Sequence, residues 1–277
     1  MKNTAANAAQ KKTVPTTMIR VEDTELAVTD TGGTGRPVVY LNGSYATRKN
    51  WRHVIAELGP GYRHITFDER ARGKSKRSAD YSFEACLRDI DAVLAATGAE
   101  NPIIVGWSYG AALALHWSTR NPGRLAGAVM VDGGYPWDYL ATVEGGREAG
   151  KEQIRKMFRQ FGWIMPLVRP LGMAARMSAD AHAEINIELN EIVAESEPVF
   201  DLVTFPMRFV VATGASLGGT EEGLAAMRAT LDPILARNPN VRVSSTVGSK
   251  HTTIVRKDFR AIAAAVREVA GPEVAGR

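Results

Sequence analysis

Two hydrophobic patterns alternate along this chain. Short runs rich in Val, Ile and other apolar residues are followed by longer stretches in which apolar positions recur at helical spacing or strong helix formers dominate. Residues 18–21 and 26–31 read as two opening strands, Gly32-Gly33-Thr34-Gly35 turns the chain into a third at 37–41, and 64–67 supplies a fourth. The runs at 102–105, 126–131, 207–212 and 241–246 are almost continuously apolar or β-branched, as strands buried on both faces are. Residues 51–58, 83–96, 109–118, 221–237 and 258–269 read as helices. This order predicts the α/β class: a mostly parallel eight-stranded sheet flanked by helices.

The rhythm breaks once. Between 139 and 205 there is no convincing strand, only helix-compatible stretches interrupted by Gly162, Pro166, Pro170 and Pro198, which predicts a helical lid inserted between two strands. The expected organisation is a flexible N-terminal tail at 1–17, a core built from 18–138 and 206–277, and a lid at 139–205.

Composition bounds the rest. With 277 residues, 45% of them hydrophobic, the chain can bury one large core better than several small ones. The formal charge of +4 draws on Lys2, Lys11, Lys12 and Arg20 at or near the N-terminus, so charge alone implies neither a nucleic-acid nor an anionic-membrane partner. The first 17 residues lack the apolar stretch of a secretory signal, and runs such as 102–105 and 125–131 fall far short of the roughly 20 residues that span a bilayer. The lone Cys86 cannot form an internal disulfide. A soluble cytoplasmic protein with a small-molecule substrate is the expectation, without nucleic acid, membrane insertion, metal or organic cofactor; no feature specifies an oligomeric state.

The chemistry concentrates at Gly106-Trp107-Ser108-Tyr109-Gly110. Ser108 directly follows a predicted strand and precedes a predicted helix, so a sharp turn there would expose its hydroxyl as a nucleophile, while the flanking glycines let neighbouring elements approach closely. The start of the helix directs free backbone N–H groups at the reacting carbonyl, which makes Tyr109 N–H one expected oxyanion donor. The loop after the third strand, Asn42-Gly43-Ser44-Tyr45, offers a second in Ser44 N–H.

From about 18 to 269 the chain resembles the α/β-hydrolase superfamily. The resemblance is carried by Leu41-Asn42-Gly43-Ser44 with Trp51 downstream, by 68–75, by the turn around Ser108, and by Gly248-Ser249-Lys250-His251. The 68–75 segment resembles the family's Asp-x-Arg-Gly-x-Gly-x-Ser loop with Ala71 replacing the first Gly, and Asn42 stands where the family commonly has His. The resemblance implies a serine hydrolase with His251, in the loop after the last strand, as the base. Of the five histidines, His53 and His116 fall in predicted helices, His64 begins a strand and His182 lies in the lid.

The family's usual acid position, shortly after the penultimate strand, is here Gly214-Ala215-Ser216-Leu217-Gly218-Gly219, without a carboxylate. Asp132, at the end of the strand after the nucleophile's helix, matches branches that take the acid from there, although it could merely cap the Gly133-Gly134 turn. Glu221 and Glu222 are alternatives that also suit the first turn of a helix, and Asp232 lies too deep in that helix.

The inserted region carries Met157, Phe158, Phe161, Trp163, Met165, Met173 and Met177, with Tyr135, Trp137 and Tyr139 at its entrance, and implies an apolar pocket to which Tyr45, Trp107, Tyr135, Trp137 and Trp163 are assigned. Its basic first part and its acidic part at 179–205 are expected to attract each other or face solvent rather than bind a charged substrate. The expected activity is cleavage of an ester, lactone or thioester. Acyl transfer, carbon–carbon cleavage, perhydrolysis, or ligand binding with a retained triad are the alternatives; haloalkane dehalogenase and related epoxide hydrolase chemistry is disfavoured because those enzymes use Asp where this chain has Ser108.

Overall fold

A computed structural model describes residues 14–168, 175–215 and 220–271. Most of the expected tail, Arg169, Pro170, Met173 and part of the 214–219 stretch lie outside the described residues. Eight strands form one sheet: β1 (Thr16–Val21), β2 (Thr24–Asp30), β3 (Arg36–Leu41), β4 (Tyr62–Phe67), β5 (Ile103–Trp107), β6 (Gly127–Val131), β7 (Met207–Ala212) and β8 (Val241–Val247), in the order β1-β2-β4-β3-β5-β6-β7-β8. β1 pairs antiparallel with β2 and β2 antiparallel with β4, and every other pairing is parallel. β1 begins inside the segment expected to be tail, because Thr16 and Thr17 find partners in Thr29 and Val28.

The buried strands divide their side chains by the two-residue period of the pleat. In β6, Ala128 and Met130 enter one core while Val129 and Val131 enter the other, and Phe209 and Val210 of β7 divide likewise. α2 (Phe83–Thr97) and α3 (Tyr109–Arg120) cover the first face, and α1 (Arg52–Leu58) and α11 (Phe259–Ala270) the second. α2 starts on Ser82, whose hydroxyl accepts from Ala85 N–H, and ends on Gly98 in the left-handed region at φ 60°. Cys86 is buried within it, and burial pushes its thiol up to about 12.

Between β6 and β7 the described residues form α4 (Tyr139–Thr142), α5 (Gly146–Phe161), α6 (Met165–Val168), α7 (Ala179–Ala194) and a 3-10 turn, Glu197–Leu202. α5 and α7 pack over a small apolar cluster of Leu140, Ile154, Phe158, Ala183 and Ile187. Their opposite charges meet: Lys151 pairs with Glu191, Arg155 with Glu184 and Arg159 with Asp180. The helix expected over 221–237 is two, α8 (Glu221–Ala229) and α9 (Asp232–Arg237). Pro233 is the reason, since it donates no amide hydrogen bond and its ring would meet the Ala229 carbonyl of a continuous helix. α10 (Ile254–Lys257) then precedes α11, and among the described residues no helix is long and apolar enough to cross a membrane.

The chain runs from β3 outward to β4 and then returns to place β5 on the other side of β3. The loops leaving β3 and β5 therefore diverge at the carboxyl edge of the sheet and leave a crevice there, as open α/β sheets do.

Candidate active site

Ser108 occupies that crevice. It takes φ 56°, ψ −117°, a conformation rarely adopted by residues with a side chain, and is held there by close backbone packing. A Cβ on Gly106 would stand 2.1 Å from the Gly110 carbonyl oxygen, one on Gly110 2.3 Å from that of Leu41, and one on Gly133 2.6 Å from that of Ser108. Ser108 N–H also donates to Val131 at 3.1 Å, which fastens the turn to β6.

His251 lies in the loop after β8. That loop is tied to the end of β7 by Thr213 N–H donating to Val247 (2.8 Å) and Gly214 N–H donating to Ser249 (2.9 Å). His251 Nε2 is 2.9 Å from Ser108 Oγ and its Nδ1 is 2.7 Å from Asp132 Oδ2. Asp132 is buried and left-handed at φ 42°. Its other oxygen accepts from Ala212 N–H at 3.0 Å and from the Tyr135 hydroxyl at 2.9 Å. Burial and the adjacent Asp132 raise Tyr135 well above the ordinary phenol range, so it remains a donor. A serine hydroxyl, an imidazole and a carboxylate thus stand in one hydrogen-bonded line, able to pass a proton from Oγ to Nε2 while the carboxylate fixes the ring.

Of the expected donors, Tyr109 directly follows Ser108, and Ser44 follows Gly43, where an added Cβ would stand 3.4 Å from the Ser108 Cβ. Tyr109 opens α3, and among the described residues neither its amide nor that of Ser44 has a hydrogen-bond acceptor. The Ser44 turn is anchored from below by Arg72, whose Nε donates to the Ser44 carbonyl at 2.6 Å and whose guanidinium lies 5.8 Å from the Tyr109 ring centre. Asn42 is fully buried and saturated: its amide N–H donates to Glu69 Oε1 (2.8 Å), its Nδ2 donates to the Phe67 carbonyl (2.7 Å) and Glu69 Oε2 (2.9 Å), and its Oδ1 accepts from Trp51 Nε1 (2.8 Å). Burial lifts Glu69 to about 7, against the opposing pull of Arg72 and Asn42. In the 68–75 loop, Ala71 adopts φ 61°, the conformation for which a glycine would be favoured.

A cavity of about 980 Å³ opens over Ser108, Asp132 and His251. Tyr135 and Trp137 line it, as expected; Tyr45, Trp107 and Trp163 do not. Trp107 is buried under His251, ring centres 5.9 Å apart, because β5 turns its side chain into the core beneath the sheet edge. Tyr45 is engaged elsewhere, its hydroxyl accepting from Asn186 and its ring 5.5 Å from that of His182. Trp163 follows the end of α5 and is 72% exposed. The walls that sequence reasoning missed are Leu189, Asn190 and Val193 of α7 and Leu224, Met227 and Arg228 of α8. Their sole advance signal is that α8 follows a strand ending at the same sheet edge.

None of the other four histidines lines the cavity, and His53 packs against Phe259. His64 contacts the Tyr40 hydroxyl and the Gly59 carbonyl, His116 packs edge-on against Phe83 with burial pushing it down to about 4, and buried His182 stacks on Phe158. Glu222 lines the cavity from the first turn of α8, but it is Asp132 that His251 meets. Among the described residues no three His, Cys, Asp or Glu converge as they would to hold a metal ion.

A family model described as the alpha/beta hydrolase fold matches residues 36–160. A haloalkane dehalogenase of Mesorhizobium japonicum is 28% identical over 155 residues, 56% of this chain and 47% of that protein. Epoxide hydrolase B of Mycobacterium tuberculosis is 35% identical over 101 residues, 35% of this chain and 28% of that protein. The chain thus spans less than half the length of these curated relatives. Among solved structures, a thermophilic esterase from Thermogutta terrifontis superposes with a TM-score of 0.66 at 21% identity, covering 93% of this chain and 100% of the esterase, a likeness of fold.

Proposed function

Because the alpha/beta hydrolase fold model matches residues 36–160, we propose that this chain is a serine hydrolase of the α/β-hydrolase superfamily that cleaves an ester, lactone or thioester of a small, largely apolar substrate. The observation that carries this reading is the pair of contacts from His251, 2.9 Å to Ser108 Oγ and 2.7 Å to Asp132 Oδ2.

In this reading Ser108 Oγ attacks the acyl carbon while its proton passes to His251 Nε2. Asp132 accepts Nδ1–H, fixes the tautomer and stabilises the imidazolium as it forms. The amides of Tyr109 and Ser44 receive the oxyanion. Collapse breaks the bond to the leaving oxygen or sulfur, which takes the proton from His251 and leaves an acyl-Ser108. Water, deprotonated by His251, then releases the acid and restores the serine. The helical segment at 139–205 acts as the lid of a core formed by 16–138 and the chain from 206 onward, and the buried lone cysteine suits a reducing cytoplasm.

The dehalogenase and epoxide hydrolase relatives suggest a second chemistry, but that chemistry needs a carboxylate nucleophile to form its alkyl-ester intermediate, and this chain has the Ser108 hydroxyl at that position. A fluorophosphonate probe tests the proposal. Wild type is expected to label and Ser108→Ala not to, and a graded series of acyl esters, aryl esters and lactones is expected to be turned over by wild type alone. A folded wild type that neither labels nor turns over any member of the series overturns it.

A further inference from the structure

On the segment over the site Arg147 pairs with Asp138, Arg155 with Glu184 and Arg159 with Asp180, while Lys156 points its charge into solvent. Arg228 is different. It sits in the last turn of α8, lines the cavity over Ser108, and among the described residues its side chain makes no ion pair and no hydrogen bond. Its Nε is buried without a partner. A buried donor left unmet is costly, more so on a cation, so Nε of this half-buried side chain calls for an acceptor from outside the chain, with the rest of the guanidinium open to the cavity.

The two carboxylates on the cavity wall are set aside by their own geometry. Both oxygens of Asp132 are engaged, with Ala212 and Tyr135 on one side and His251 on the other. Glu222, also on the cavity wall, is exposed and lies six residues earlier on α8, about 9 Å back along the axis at 1.5 Å per residue. Leu224 and Met227 from the same helix and Leu189 and Val193 from α7 share the cavity wall with Arg228. A planar fork of donors beside these apolar walls matches a carboxylate borne on a hydrocarbon chain.

We propose that Arg228 binds a carboxylate of the substrate distinct from the scissile acyl group, so that the natural substrate is a half-ester or related acyl compound carrying a free acid. This rests on the serine-hydrolase reading. Arg228 takes no part in the bond changes; it sets which ester is held over Ser108.

The test compares the nitrophenyl half-ester of adipic acid with its analogue of equal length ending in a carboxamide. Wild type is expected to prefer the acid in kcat/KM by about tenfold to a hundredfold, the equivalent of one charge-assisted hydrogen-bonded pair, mostly through KM. In Arg228→Gln the ratio collapses toward one, Arg228→Lys retains part of it, and Arg228→Glu favours an ester ending in an ammonium group. A wild-type ratio near one, or a ratio unchanged in Arg228→Gln, overturns the proposal while fluorophosphonate labelling of Ser108 persists. Loss of labelling together with loss of all ester turnover in folded wild type is the separate failure of the hydrolase reading. Should Arg228→Gln not fold, the wild-type ratio and Arg228→Lys decide.

Discussion

Tyr135 donates its hydroxyl to Asp132 Oδ1 at 2.9 Å, leaving Oδ2 to His251. The phenol is buried beside Phe209, ring centres 6.2 Å apart, so Tyr135→Phe keeps the packing and removes the donor. Asp132 Oδ1 would then accept from Ala212 N–H alone. Expected outcomes are a stability loss of about 1 kcal/mol in urea unfolding and a fall in kcat of about threefold to tenfold with KM little changed. The same stability loss with unaltered kcat would reduce Tyr135 to a packing residue.

Asp132→Asn separates the candidate acids. The amide preserves shape but can present its NH2 to the imidazole, which favours the wrong tautomer, and kcat is expected to drop by about 10⁴-fold with an unchanged melting transition. Glu221→Gln, in the exposed first turn of α8, is expected to turn over at the wild-type rate. Near-normal turnover in Asp132→Asn would remove Asp132 from the mechanism.

The strands were legible because strands buried on both faces must be apolar at nearly every position, as β5 and β6 are. Ser108 and Asp132 were legible for a related reason: each ends such a strand, and the sheet's carboxyl edge gathers the ends. The cavity walls were not. Apolar spacing says that α5 has a buried stripe, not that the stripe faces α7, and so Trp163 was expected in a pocket although it lies past the end of that helix in solvent. Asn42 and Glu69 stand 27 residues apart and meet because β3 and β4 run parallel side by side, a register that no local pattern encodes. The break before α9 was written in Pro233, within a window whose other residues favour helix.

Glu69 makes stability depend on pH in a defined direction. Burial raises its carboxyl from 4.5 to about 7, so between these values the folded chain holds a proton that the unfolded chain has released. Stability therefore falls as pH rises from about 4.5 through about 7 and is level above that, the full span being on the order of 3 kcal/mol. Glu69→Gln should flatten this part of the curve in urea titrations at pH 5 to 8. His116, pushed down to about 4 by burial, works in the opposite sense, removing stability as pH falls from 6.5 toward 4, and is unaffected by the Glu69 change. An identical slope in both proteins between pH 5 and 7 would mean that Glu69 is ionised in the fold.

Gly133 carries the closest test of the strained turn. An added Cβ there would lie 2.6 Å from the Ser108 carbonyl oxygen, 2.7 Å from its Cα and 2.9 Å from its nitrogen, all backbone atoms that cannot swing away as a side chain tip would. Either the turn after β6 moves, taking Asp132 away from His251, or Ser108 leaves its φ of 56°. Both break the line from Asp132 to Ser108 Oγ. Gly133→Ala is expected to cost about 2–3 kcal/mol in urea unfolding and to slow fluorophosphonate labelling at least about a hundredfold, whereas Gly123→Ala, with no atom within 4 Å of the added methyl, stays within about 0.5 kcal/mol of wild type and labels normally. Labelling of Gly133→Ala at the wild-type rate would show that the close packing against Ser108 is not what holds its hydroxyl toward His251.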